Sequence, residues 1–155
     1  MPNWCNNIVK ISSGSERDLD TLFTLLEKNS ENPFAAIYPQ PQFEGEDDWY
    51  EWNIANWGTK WDAEDFRIIR NKDGTLEMAF STAWSPSISV TARMAECFPS
   101  LEIAHFYEEP GMCFEGVATF EAGRMVKDDE RRMPEFDDEV EHEEYLNTPV
   151  DERLI

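Results

Sequence analysis

The stretch Phe66-Arg67-Ile68-Ile69-Arg70-Asn71-Lys72-Asp73-Gly74-Thr75-Leu76-Glu77-Met78-Ala79-Phe80 carries the pattern that orders the rest of the chain. Its start is crowded with aromatic and β-branched residues. Towards its end Leu76, Met78 and Phe80 alternate with Glu77 and Ala79. A pleated strand sends successive side chains to opposite faces, so this alternation predicts a strand with one buried face. Asp73-Gly74 between the two runs is a hairpin signal, because glycine accepts the positive φ that a tight turn demands. Residues 66–70 and 75–83 are expected to pair antiparallel.

Upstream, Asn7 to Ser12 reads as a first strand that ends at Gly14. Ser15 is placed to cap a helix, and Leu19, Leu22, Phe23 and Leu26 form one apolar stripe along it as far as Asn29. Pro33, Pro39, Pro41 and Gly45 exclude a regular helix or central strand over residues 31–47. An ordered loop is expected there, with a short extended piece at Phe34 to Tyr38. Next comes Asp48 to Asp62, which holds four of the six tryptophans. Asp48 with Glu51 makes a capping-box pattern and Gly58 suits a helix end, predicting a short helix from about Trp49 to Trp57.

Downstream, Ser85-Pro86 reads as a cap with proline at the first helical position, and Ile88, Ala92 and Ala95 lie on one line of a helix that stops at Pro99. Leu101, Ile103, His105 and Tyr107 alternate as a half-buried strand. Glu109-Pro110-Gly111 turns the chain, and Met112 to Glu121 makes a last strand. The class is α+β, a ferredoxin-like βαββαβ with an extra C-terminal strand. Its antiparallel sheet is covered on one face by two helices, with a Trp-rich helical insertion at about 31–62. The domain is expected to span 1–124. Residues 125–155 hold 12 acids and 4 bases and read as an acidic tail, mobile or loosely docked.

Charge bounds the partners. With 33 acids against 13 bases, the net −20 repels nucleic acid and anionic membrane and favours basic proteins. Direct nucleic-acid or membrane binding is not expected. The charge serves either solubility alone or mimicry of nucleic acid. Cys5, Cys97 and Cys113 have no CxxC spacing, no apolar run reaches the roughly 20 residues of a membrane span, and the N-terminus lacks a secretion pattern. A cytoplasmic protein is expected.

Catalytic signals are weak. The cysteines, His105 and His142 lack finger spacing, and no phosphate-cradling glycine motif occurs, so no metal, cofactor or catalytic residue is assigned. Glu108, Glu109 and Glu115 flank the Pro110-Gly111 turn, and Asp62 follows the tryptophans, an arrangement glycosidases use. In so acidic a chain such coincidences are cheap. Trp4, Trp57, Trp61, Trp84 and Tyr107 each sit beside a turn or cap, near Lys60. They either seal the sheet edge or line a recognition site. The candidate binding set is Trp4, Trp57, Lys60, Trp61, Asp62, Trp84, Tyr107, Glu108 and Glu109.

Four separated motifs carry a resemblance. They are Met1-Pro2-Asn3-Trp4-Cys5-Asn6-Asn7, Trp57-Gly58-Thr59-Lys60-Trp61-Asp62-Ala63, Thr82-Ala83-Trp84-Ser85-Pro86 and Tyr107-Glu108-Glu109-Pro110-Gly111, with Phe114 and Gly116 following. In these the chain resembles the YubB-like family of uncharacterised plasmid and phage proteins. It departs at Ser85-Pro86-Ser87, where that family reads Ser-Pro-Pro. The resemblance implies a ferredoxin-like architecture and a bacterial mobile-element setting, and no reaction. Three readings stand: an interaction protein that binds a partner through the aromatic residues; a ligand binder or enzyme with a pocket between the Trp57–Asp62 and Tyr107–Gly111 turns; or a structural module without a partner.

Overall fold

A computed structural model of the chain describes residues 2–154; Met1, which opens the first motif, and Ile155 lie outside the described residues. The elements run β1 (Trp4–Ser13), α1 (Glu16–Lys28), α2 (Pro33–Ile37), α3 (Asp48–Asn56), β2 (Glu64–Arg70), β3 (Leu76–Ala83), α4 (Ile88–Cys97), β4 (Leu101–Glu109), β5 (Phe114–Glu121), β6 (Arg124–Arg132), α5 (Glu139–Asn147) and α6 (Val150–Arg153). The hairpin read at Asp73-Gly74 is β2–β3, and it anchors one edge of a sheet ordered β2-β3-β1-β4-β5-β6. Every pairing is antiparallel. The β2-β3-β1-β4 core, with α1 and α4 as crossovers, is the split βαββαβ topology.

One face holds the hydrophobic core. Val9, Met78 and Leu76 from the central strands meet Leu19, Leu22 and Leu26 of α1 and Val90, Met94 and Ala95 of α4. The Ser15 hydroxyl accepts from the Asp18 amide at 3.2 Å and starts α1 where the sequence placed it. The α4 start differs. Ser85 is not its cap; that hydroxyl donates to the Gly58 carbonyl at 2.5 Å, and the helix begins two residues past Pro86. Val90, Thr91, Met94 and Ala95 are buried, with Ile88 and Ala92 half-buried at the edge of the same face.

The insertion also departs from expectation. Phe34 to Tyr38 is not extended: Pro33 opens the single-turn helix α2, whose Phe34 and Ala35 amides are met by the Asp62 carboxylate at 2.9 and 3.1 Å. A cap supplied from 28 residues away leaves no local trace. In α3 the capping box does not form, because Asp48 turns back to the Gly45 amide at 3.0 Å. Gly58 does end that helix, at φ +77.

The sequence predicts five strands, and the sheet has six. After β5, Ala122 and Gly123 both take positive φ, 52° and 79°, the geometry of a tight two-residue hairpin turn. It returns the chain as β6, paired from Glu121↔Arg124 to Phe114↔Arg132. All nine β6 side chains are exposed, so hydropathy carries no sign of it. Beyond it α6 packs on β4, on the sheet face away from α1 and α4.

Candidate functional site

The tryptophan stretch divides into a buried part and an open part. Trp57, 2% exposed, donates its indole N–H to the Tyr38 carbonyl at 2.9 Å and meets Phe34 and Trp52 edge to face. Buried Asn53 ties the insertion together: its amide donates to the Lys60 carbonyl at 2.8 Å and its oxygen accepts from Gln40 at 2.7 Å. Thr59 donates to the Ala83 carbonyl at 3.0 Å. Asp62 accepts three backbone amides, those of Phe34, Ala35 and Ala63. Burial raises its carboxyl above the usual range while those amides pull it down. Trp57 and Asp62 are thereby engaged in packing and capping.

The open part lies at the end of the sheet where β1 begins and β3 finishes. Trp4 stands opposite Ala83, and its ring lies 6.4 Å from that of Trp61, tilted by 32°. Pro2, Glu31, Asn32 and Glu64 complete a shallow open groove around this pair. Lys60 extends the surface, its ammonium 4.5 Å from the Trp61 ring and 5.5 Å from that of Tyr50. Next to Ala83, Trp84 is 50% exposed. Its φ of +70° is a conformation that a bulky side chain rarely adopts.

The second group of candidates lies at the same end of the sheet, where Gly111 abuts Asn3, but does not line that groove. Tyr107 is buried over Gly116, where any Cβ would meet its hydroxyl, and it reaches across β5 to donate to Glu130 of β6 at 3.0 Å. Burial, reinforced by Glu130, raises that phenol well above its ordinary value. Strand alternation sends Glu108 and Glu109 to opposite faces. Glu109 accepts the Gly111 and Met112 amides at 2.8 and 2.7 Å, which fixes the turn. Glu108 pairs with Arg153 and accepts from Asn6 at 3.2 Å. Both carboxylates are engaged, on opposite faces of the sheet.

His105 belongs to a buried hydrogen-bonded chain with one consistent direction. The Asn7 amide nitrogen donates to Thr82 at 3.0 Å, so its oxygen is left to accept from His105 Nε2 at 2.8 Å. Nδ1 then accepts from the Thr91 hydroxyl at 2.7 Å, and Thr82 donates onward to the Ser85 carbonyl at 2.6 Å. Burial lowers the His105 pKa to about 3, so the ring is neutral. Cys5 is pushed up to about 12 by burial, which removes a ready thiolate. Among the described residues no group of His, Cys, Asp and Glu is arranged to hold a metal ion, and no helix is long and apolar enough to cross a membrane.

Sequence reasoning missed two sets of residues. One is the groove wall of Glu31 and Glu64, invisible because α2 is brought there by Asp62. The other is Arg131, Tyr145 and Arg153, which gather on the second sheet face around Glu115, an acid the sequence had placed only beside the Pro110-Gly111 turn.

A family model described as the ferredoxin-like domain in Api92-like protein matches residues 56–148, and so runs on through β6 and α5. Among solved structures, the crystal structure of a protein api92 from Yersinia pseudotuberculosis is similar, with a TM-score of 0.55 and 19% identity. That match covers 66% of this chain and 40% of the other, and at such identity it shows the fold alone. No curated protein matches the chain with comparable significance.

Proposed function

The chain belongs to the family defined by the ferredoxin-like domain of Api92-like proteins, and from that premise we propose a non-enzymatic binding module that takes a basic segment of a protein partner in the Trp4–Trp61 groove. The observation that carries this reading is the pairing of half-open indoles with the Glu31 and Glu64 carboxylates. Indole faces attract cations, and carboxylates beside them add a charge-specific contact. Trp84 supports it: a large apolar ring held outward on an unfavourable backbone costs stability twice, which a packing role does not require. The net charge of −20 speeds encounter with a basic partner. The resemblance to YubB-like proteins supports a bacterial mobile-element setting, with action in the cytosol. If the partner is itself a nucleic-acid-binding protein, the acidic chain acts as a mimic.

Affinity capture from a bacterial lysate at about 0.15 M salt, where the Debye length is about 8 Å, tests the reading. Basic proteins held by the wild type are expected to be lost with Trp61→Ala and with Trp84→Gly, although the latter relieves backbone strain and keeps or raises the melting temperature. DNA that displaces the partner identifies the mimic. Equal capture by wild type and Trp61→Ala would refute the groove.

A further inference from the structure

On the sheet face turned away from α1 and α4, Glu108 of β4 lies directly across from Glu115 of β5. Like charges at opposed positions repel, and both carboxylates are buried, Glu115 completely. Arg131 of β6 pairs with Glu115 at 2.7 Å, and the cation that bridges both carboxylates comes from α6. Arg153 of α6 donates from Nη1 to Glu115 at 3.0 Å and from Nη2 to Glu108, with its side chain 3% exposed. Each guanidinium nitrogen meets one carboxylate, a division that a planar fork permits and a compact ammonium does not.

The segment that delivers this arginine has few other holds. Helix α5 buries no residue, and α6 buries only Val150 and Asp151. Lys10 pairs with Asp151 at 2.6 Å and Tyr145 donates to Glu115 at 2.5 Å. Glu139, Glu141, Glu143 and Glu144 place four more acids beside a chain of net −20, so the long-range field works against docking of this strap. The arginine itself is incompletely met: its buried Nε has no partner among the described residues. An unmet buried donor lowers the affinity of the strap for its own seat.

We propose that Glu108 and Glu115 form a guanidinium socket which Arg153 fills from within the chain, and that the α5–α6 strap gives way to an arginine-bearing segment of a protein partner. Strap and partner exclude each other, so the resting protein is self-occupied. The charge of the chain selects a basic occupant, and the paired carboxylates select arginine over lysine. This face shares no carboxylate with the Trp4–Trp61 groove, so either site can fail alone.

Hydrogen exchange on the full chain tests the socket, with a short arginine peptide and its lysine counterpart of equal length and charge as probes. The arginine peptide is expected to speed exchange over residues 139–154 about tenfold, the scale of a lost charge-assisted hydrogen bond, while β1, β3 and β4 keep their protection. The lysine peptide has a much smaller effect. Arg153→Ala is expected to expose the strap without peptide and to bind the arginine peptide about tenfold more tightly, since no internal competitor remains. Because that variant leaves buried Glu108 without a cation and Glu115 with Arg131 alone, the wild-type arms decide by themselves. Strap amides unmoved at any peptide concentration, or moved equally by both peptides, overturn the proposal.

Discussion

His105 shows how a residue that looks catalytic in a sequence is settled by its hydrogen bonds. With Nε2 donating to Asn7 and Nδ1 accepting from Thr91, both ring nitrogens are used and no third group remains to be activated. The stability consequence has a definite sign. The folded pKa is depressed from 6.5 to about 3, so the unfolded chain takes up the proton first. The contribution of the neutral ring is complete above pH 6.5 and is lost as pH falls through that window. The expected slope is about 1.4 kcal/mol per pH unit. Urea unfolding of wild type and His105→Gln over this range should show the difference shrinking towards acid. A difference that is flat with pH would mean the ring is already charged in the folded protein. The alternation Leu101, Ile103, His105, Tyr107 placed this residue inside from sequence alone. Its tautomer was not legible, because it depends on Asn7, 98 residues away, and on the Thr82 hydroxyl that orients the Asn7 amide.

Elements defined by periodic apolar residues were readable, and those defined by remote polar contacts were not. α1, β3, β4 and the βαββαβ order follow from stripes and alternation that local burial enforces. α2 exists because Asp62 meets its first amides, and β6 because the Ala122-Gly123 turn and backbone pairing suffice without an apolar face. The α2 explanation has a direct check. Asp62→Ala is expected to cost about 1–2 kcal/mol, the loss of a helix cap. Exchange at the Phe34 and Ala35 amides should rise while Ser15-capped α1 stays protected. Unchanged protection at those two amides would show that proline and packing alone hold α2. The same carboxylate holds the start of α2 beside the groove, which Asp62 itself also lines.

At the scale of the molecule, one end of the sheet gathers exposed aromatics while the opposite face is closed by a charged strap. The four motifs that carry the resemblance divide by role. Trp57, Asp62, Tyr107 and Glu109 build turns and core, whereas Trp4 and Trp84 are exposed and Lys60 and Trp61 half-buried beside them. Sequence could place all of them at element ends, but only packing separates the builders from the exposed set. Of a candidate pocket joining the Trp57–Asp62 and Tyr107–Gly111 turns, the carboxylates are committed to Arg153 and to backbone amides. The aromatic rim is the surface to which the proposed binding is assigned. Its most direct test is a two-dimensional NMR titration of the indole N–H signals with a short arginine- or lysine-rich peptide. The account predicts saturable shifts at Trp4 and Trp61 with Trp57 unmoved, its indole being bonded to Tyr38. Trp4 and Trp61 signals that stay in place while peptide binds elsewhere would contradict it.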